Sequence, residues 1–257
     1  MERTYLVCAT PRSGSTLLCE ALKATGVAGR PEEYFESVVA TGRPPRPESY
    51  LDGLEDPEAL ALLGGASAPE PPPYSSLEGV GSYAEHLERV RSWGTTPNGV
   101  FGVKLMWDHV GRLHRRAGDP LELFGDPAFV WVRRQDVVRQ AVSLWRAMQT
   151  QAWRDDSGAR GAHEPRYSFA ALHHLVGRLT EHDRCWGELL AGRPVLELAY
   201  EDVTADLAGA VGRTLDHLGV APPEQEPELP RMRRQADELS DAWVAAYARD
   251  HDPVATP

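Results

Sequence analysis

Three scarcities narrow this chain before any motif does. Cysteine is the first: Cys8, Cys19 and Cys185 are the whole complement in 257 residues. An odd number of thiols in strand and helix contexts is no disulfide framework and suits reduced thiols in a cytoplasm. Long apolar runs are the second, since Tyr5 to Ala9 is short and no apolar run directly extends it. Neither a signal peptide nor a membrane-inserted segment is expected. The third is clustered positive charge. No Lys/Arg run of the kind that tracks a phosphate backbone occurs, and 27 basic residues against 38 acidic ones leave a formal net charge of -11, which argues against nucleic acid as a partner. What remains is a chain with 42% hydrophobic residues, enough to bury a full core, and one domain over residues 1–257 is the simplest reading.

The first informative stretch is "YLVCATPRSGSTLL". Thr4 to Ala9 reads as a strand, a turn of small residues follows, and Leu17, Leu18, Ala21 and Leu22 then recur at helical spacing over Ser15 to Thr25, with Gly26 at a natural C-terminal cap. Strand, small-residue turn and helix start together make an anion cradle, because the first helical N–H groups lack intrahelical partners and carry partial positive charge. The nucleotide-triphosphatase loop G-x-x-x-x-G-K-[ST] does not fit, since this turn has one glycine, Gly14, and no lysine. Its only cation, Arg12, has a planar guanidinium able to hold two oxygens of one anion. Cys8 and Arg12 stand too close for the phosphate loop of a cysteine phosphatase to wrap between them. The plainer alternative for a Ser/Thr-rich turn is a helix N-cap alone.

Further along, "GVFGVKLMW" (99–107), "AFVWVR" (128–133) and "VLELAY" (195–200) are compact apolar runs that suit buried parallel strands. Helices are expected at Asp108 to Ala117, Gln135 to Thr150, Phe169 to Leu190 and Asp237 to Asp250. A stretch rich in Pro, Gly and acidic residues, about 41–75, predicts a surface excursion with a short helix at Pro57 to Leu63. Alternating strands and helices predict an α/β sandwich with a central parallel sheet, whose ligand crevice lies at the carboxyl ends of the strands.

Two basic patches accompany the loop. In "VRRQDVVRQAVSLWRAMQT" (132–150) a strand ends in two arginines, Asp136 can cap the next helix, and Ser143 lies about two turns into it. Arg134 and Ser143 could both reach a second phosphate. "RMRRQADELSDAW" (231–243) sets Arg231, Arg233 and Arg234 just before the last helix. The alternative for each patch is a solvated basic edge.

"YLVCATPRSGSTLLCEALKATGVAG", "PEEYF", "TPNGVFGVKLMW", "DVVRQAVSLWRAMQT" and "RQADELSDAWVAAYARD" stand in this order nearly end to end. With them the chain resembles the bacterial sulfotransferases that use 3′-phosphoadenosine 5′-phosphosulfate (PAPS), specifically the actinobacterial trehalose 2-sulfotransferase family. The resemblance implies the sulfotransferase fold, a P-loop-like three-layer α/β/α sandwich. It also implies PAPS as donor without a metal, a carbohydrate or glycosylated small molecule as acceptor, and a homodimer. By the same resemblance Arg12, Ser13, Gly14, Ser15 and Thr16 hold the phosphosulfate end, with Arg12 where many relatives have lysine. Arg134 and Ser143 hold the 3′-phosphate and Arg234 is a further ligand. "RRQD" leaves the choice between Arg133 and Arg134 open, and the 231–234 cluster leaves its acting arginine open. A glutamate after the first helix, Glu33 here, is implied as the base, with Glu32 and Glu36 as neighbours. Lys104, at a strand end facing the crevice, is expected to steady the transferring group.

Rival readings are a nucleotide-dependent kinase, which would lack its loop lysine and a Mg²⁺ carboxylate, and a non-catalytic nucleotide-binding relic. His173, His174 and His182 have no H-E-x-x-H spacing and are read as structural or exposed. Trp107, Trp145 and Trp153 could stack on sugar rings, with core packing as the alternative.

Overall fold

The apolar run at the start of the chain becomes the middle of a sheet. In the computed structural model, which describes residues 3–35, 50–63, 82–117, 121–153, 164–230 and 238–251, β1 (Arg3–Ala9) is fully buried from Tyr5 to Ala9. It pairs in parallel with β2 (Val100–Met106) on one side and β3 (Ala128–Arg133) on the other, and β4 (Val195–Ala199) pairs in parallel outside β3. The order is therefore β2-β1-β3-β4.

Alternation along the strands sends side chains into two apolar layers. Leu6 and Cys8 of β1 join Phe101, Val103, Leu105, Phe129 and Trp131 on one face. That face is covered by α3 (Tyr83–Gly94), α4 (Trp107–Ala117) and the end of α6 (Phe169–Leu190), through residues such as Val90, Leu113 and Trp186. Tyr5 and Val7 join Val100, Val130 and Val132 on the other face. There α1 (Ser15–Ala24), α7 (Tyr200–Ala205) and α8 (Leu207–Leu218) contribute Leu18, Leu22, Val203, Val211 and Leu215. Helix, parallel sheet and helix give the expected three-layer α/β/α architecture.

Two compact units divide the chain. The sheet unit comprises Met1–Pro45, Pro71–Gln135 and His182–Met232, and a helical unit comprises Arg46–Glu70, Asp136–Glu181 and Arg233–Pro257. The helical unit holds α2 (Pro57–Ala61), α5 (Val137–Thr150), the first part of α6 and α9 (Glu238–His251). Tyr50, Leu144, Trp145, Leu172, Leu175 and Trp243 form its core. Arg139 of α5 pairs with Asp241 of α9 at 2.6 Å.

All four expected strands are present, within a residue or so of their expected ends. α5 starts at Val137 rather than Gln135 because Asp136 caps it, its carboxylate accepting from the Arg139 N–H at 2.8 Å. α2 is likewise capped by Asp56 and stops at Ala61. α3, α7 and α8 are additional to the helices expected from periodicity. Most of the 41–75 excursion lies outside the described residues, as do Glu36 and the Arg231, Arg233 and Arg234 cluster. No helix among the described residues is long and apolar enough to cross a membrane.

Candidate functional site

In this sheet β1 has β2 on one side and β3 on the other, so the chain leaves β1 toward one flank and later returns to the opposite one. That is the switch point at which open parallel sheets form a crevice beyond their carboxyl ends. The turn after Ala9 opens there. Arg12 (φ 63°) and Gly14 (φ 84°) both adopt left-handed backbone, which at a non-glycine costs roughly 1–2 kcal/mol. Gly14 is required twice over, because a Cβ there would sit 2.5 Å from the Tyr200 ring. As the N-cap of α1 it brings no side chain to the first-turn N–H groups. Ser13 beside it is fully buried, and its Oγ meets no hydrogen-bond partner among the described residues. A buried hydroxyl in that state costs about 1–3 kcal/mol, a cost that an anion's oxygens at this spot would relieve.

Gly14→Ala is expected to lower stability by about 2 kcal/mol or more, combining backbone strain and overpacking. Gly26→Ala, also at positive φ but with nothing within 4 Å of the new Cβ, should cost about 1 kcal/mol. Urea unfolding of the two variants measures the difference, and equal losses would mean that the Tyr200 ring yields freely.

Lys104 stands on β2 with its side chain only 5% exposed. Its ammonium donates to Thr16 Oγ1 at 2.8 Å and pairs with Glu33 Oε1 at 2.6 Å. A lysine buried to this degree needs such partners. Glu33 reaches it because the segment before it runs extended along β2: the Lys104 N–H donates to the Glu32 carbonyl at 3.0 Å, as an isolated parallel bridge between Glu32 and Val103. Consecutive side chains of an extended segment take opposite faces. Glu32 accordingly turns away from Lys104 and pairs with Lys23. Behind the segment, His86 is fully buried, contacts the Tyr34 carbonyl through Nε2 at 2.8 Å and stands edge-on to Phe35. Burial pulls the His86 imidazole below its ordinary value, although its bond to the Tyr34 carbonyl opposes this, so the ring serves as a neutral anchor.

The two arginines at the end of β3 go to different places. Arg133 pairs with Asp183 at 2.7 Å and Glu197 at 2.6 Å, and its guanidinium lies 4.3 Å from the Trp131 ring centroid. Arg134 donates to the carbonyl of Arg12 in the loop at 3.1 Å and lies 4.2 Å above the Tyr200 ring. Tyr200, packed against both Gly14 and Arg134, is absent from the residues expected from sequence. Its one legible signal is its place directly after the strand in "VLELAY", at the carboxyl edge where the loop also begins.

The sheet unit thus brings Arg12, Ser13, Gly14, Ser15, Thr16, Glu33, Lys104 and Arg134 to one edge. Ser143 is a partly exposed residue of α5 in the helical unit, and Arg234 lies outside the described residues. Among the tryptophans, Trp145 is fully buried and donates to the Arg166 carbonyl at 2.9 Å, so it is core rather than a sugar platform. Trp153 bonds Gln151 and packs on the same core. Trp107, partly exposed, stands edge-on to Trp186, whose N–H is held by the carbonyl of Ala9. His173, exposed, contacts the Tyr247 hydroxyl, His174 the Tyr50 carbonyl, and His182 is 5% exposed, so the three are structural or exposed as expected. His109, also buried, accepts from the Met106 N–H at 3.3 Å. Burial raises the Cys8 thiol and pushes Cys19 up to about 12, against the opposing pull of Lys104, so neither supplies a thiolate at neutral pH. What the site offers is an anion cradle, a buried cation beside it, and a carboxylate on that cation.

The family model of the Stf0 sulphotransferases matches residues 4–250. A trehalose 2-sulfotransferase of Mycobacterium tuberculosis is 37% identical over 273 aligned residues, covering 99% of this chain and 98% of that protein. One from Mycolicibacterium smegmatis is 36% identical over 264 residues, covering 96% and 94%. Among solved structures, the sulfotransferase domain of the Synechococcus PCC 7002 olefin synthase is similar with a TM-score of 0.50 at 12% identity, over 96% of each chain, a likeness of fold.

Proposed function

The chain belongs to the Stf0 sulphotransferase family, and from that premise we propose that it moves the sulfuryl group of PAPS to a hydroxyl of trehalose or a trehalose-like glycoside. Membership makes it a sulfotransferase and sets the kinase and relic alternatives aside. The observation that carries the finer reading is the bridge made by Lys104 between Thr16 in the cradle and Glu33. The donor's phosphosulfate end fits the cradle on two counts, the unpartnered Ser13 hydroxyl and the α1 start that Gly14 leaves without a side-chain cap. Bound there, the donor supplies a sulfuryl group on a phosphate leaving group.

Arg12, Ser13, Gly14, Ser15 and Thr16 bind that end with backbone N–H groups, hydroxyls and a guanidinium. Lys104 supplies fixed positive charge next to the cradle, where negative charge builds during transfer. Glu33 takes the proton of the acceptor hydroxyl. For the 3′-phosphate, Arg134 is favoured over Arg133, because Arg134 turns to the loop and Arg133 is bound to Asp183 and Glu197. Ser143 and Arg234 enter by motif resemblance. The matched span runs through both units, which supports one sulfotransferase domain over 1–257. A homodimer and a cytoplasmic location complete the reading, and light scattering checks the first.

The test has two arms. Calorimetry should find 3′-phosphoadenosine 5′-phosphate bound about tenfold or more tightly than AMP, since each charge-assisted contact contributes roughly 1.5–3 kcal/mol. Incubation with PAPS and a panel of trehalose, glycolipids and hydroxylated metabolites should give a sulfate mass shift on the sugar. Equal nucleotide affinities remove the donor assignment, and a shift confined to non-sugar acceptors removes the acceptor.

A further inference from the structure

The chain contains two lysines, Lys23 and Lys104, and they bind two consecutive glutamates. Lys104 pairs with Glu33 and Lys23 with Glu32, on opposite faces of one extended segment. The second pair is no loose surface contact: the side chains of Lys23 and Glu32 are 20% and 18% exposed, and Glu20, one turn back on α1, holds the Lys23 ammonium at 2.7 Å.

We propose that Lys23 and Glu32 are positioning residues whose ion pair decides that Glu33, and not its neighbour, faces Lys104. The proposal rests on reading Glu33 as the base. Its physical ground is the period of two in extended chain, in which a shift by one residue exchanges the faces of all side chains. Anchors flank the segment, the Gly29 N–H on Thr96 Oγ1 and the Tyr34 carbonyl on His86. Between them Glu32 meets β2 through a single bridge rather than a ladder, so backbone pairing specifies the faces weakly. Tyr34 and Phe35, both buried, hold the downstream end of the segment, and between two chemically alike glutamates the ion pairs add the choice of which one faces which lysine.

Only the observed arrangement satisfies both lysines. With Glu32 moved to the Lys104 face, Pro31 would take its place opposite Lys23 and leave a part-buried ammonium without that carboxylate. With Glu33 moved to the Lys23 face, Tyr34 would stand opposite Lys104, which is more buried still. Each alternative loses a carboxylate from a desolvated cation, a costly state. Burial pulls the Lys23 ammonium down, but bonds to Glu20 and Glu32 outweigh it and hold Lys23 above its ordinary value. Lys23 therefore stays charged through the neutral range.

Two lysines also make the experiment clean. Lysine-selective isotope labelling gives two side-chain NMR signals, and Lys23→Met leaves that of Lys104 alone. In Lys23→Met and in Glu32→Gln the Lys104 signal should move toward its position in Glu33→Gln. Turnover should fall about tenfold to a hundredfold, the scale of a misplaced reacting group, with affinity for 3′-phosphoadenosine 5′-phosphate within twofold of wild type. The double variant should be no worse than either single one, and thermal unfolding of each separates lost orientation from lost fold. An unmoved Lys104 signal, wild-type turnover in both single variants, or additive losses overturn the proposal. Should Glu33→Gln itself keep its turnover, the base reading fails, while the Lys104 signal still reports by itself on whether Lys23 and Glu32 set the pairing.

Discussion

Glu33→Gln is expected to lose about a hundredfold to ten-thousandfold in turnover, the range for removing a positioned base, while binding 3′-phosphoadenosine 5′-phosphate nearly as well as wild type. Glutamine keeps the shape and an oxygen for the Lys104 ammonium, so the bridge to Thr16 is kept, at a cost in stability for the lost carboxylate charge beside a buried cation. What disappears is the acceptor for the hydroxyl proton. The rate–pH profile separates this from lost positioning: its acid limb should vanish in Glu33→Gln and persist in Glu32→Gln, which retains the base. If Glu33→Gln stays active while Glu36→Gln or His109→Ala does not, the base lies elsewhere. Loss of nucleotide affinity in Glu33→Gln would mean that the residue shapes the cradle.

Lys104→Met should cost about a hundredfold to a thousandfold in turnover, comparable to removing one preorganised charge-stabilising donor. It should also be destabilised, because Glu33, 23% exposed, is left beside the sheet without its cation. A fully buried pair broken on one side costs 3–5 kcal/mol, and the partial exposure of Glu33 reduces this to about 1–3 kcal/mol. The double variant Lys104→Met/Glu33→Gln divides the two effects. Stability should recover, since no uncompensated charge remains, and turnover should not. Kinetics and urea unfolding of all three proteins measure this, and a double variant that regains activity would reduce Lys104 to a structural counter-ion.

The sheet was legible because its first three strands are buried on both faces, so "YLVCA", "VFGVKLM" and "AFVWVR" stand out as compact apolar runs, interrupted by charge only at Lys104 and closed by Arg133. α5 was equally plain, from Asp136 as its cap and apolar residues at helical steps. α3 was not, because its buried Leu87 and Val90 sit among charged neighbours. Within the site, sequence separated neither Glu32 from Glu33 nor Arg133 from Arg134. Adjacent residues of one kind differ only in the face they take, and that face depends on partners far along the chain, Lys23 and Lys104 in one case, Asp183 and the loop in the other. Tyr200 stayed hidden for the same reason, since nothing local tells that its ring backs Gly14. Trp145 illustrates the converse, an aromatic beside a site motif whose helical spacing sends it into the core.

The strand order carries a consequence for how this chain becomes active at all. Each strand pairs in parallel with its neighbours, so none can dock on the last through a tight hairpin, and each pairing closes a long loop first. The residues that meet at the carboxyl edge come from positions 12–16, 33, 104, 134 and 200, most of the length of the chain. Such high contact order makes for slow, late assembly. The cradle formed by the first few turns of sequence lacks its backing ring until β4 has joined the outer edge and Tyr200 has followed it. The complete site is thus expected only once the whole parallel topology has closed.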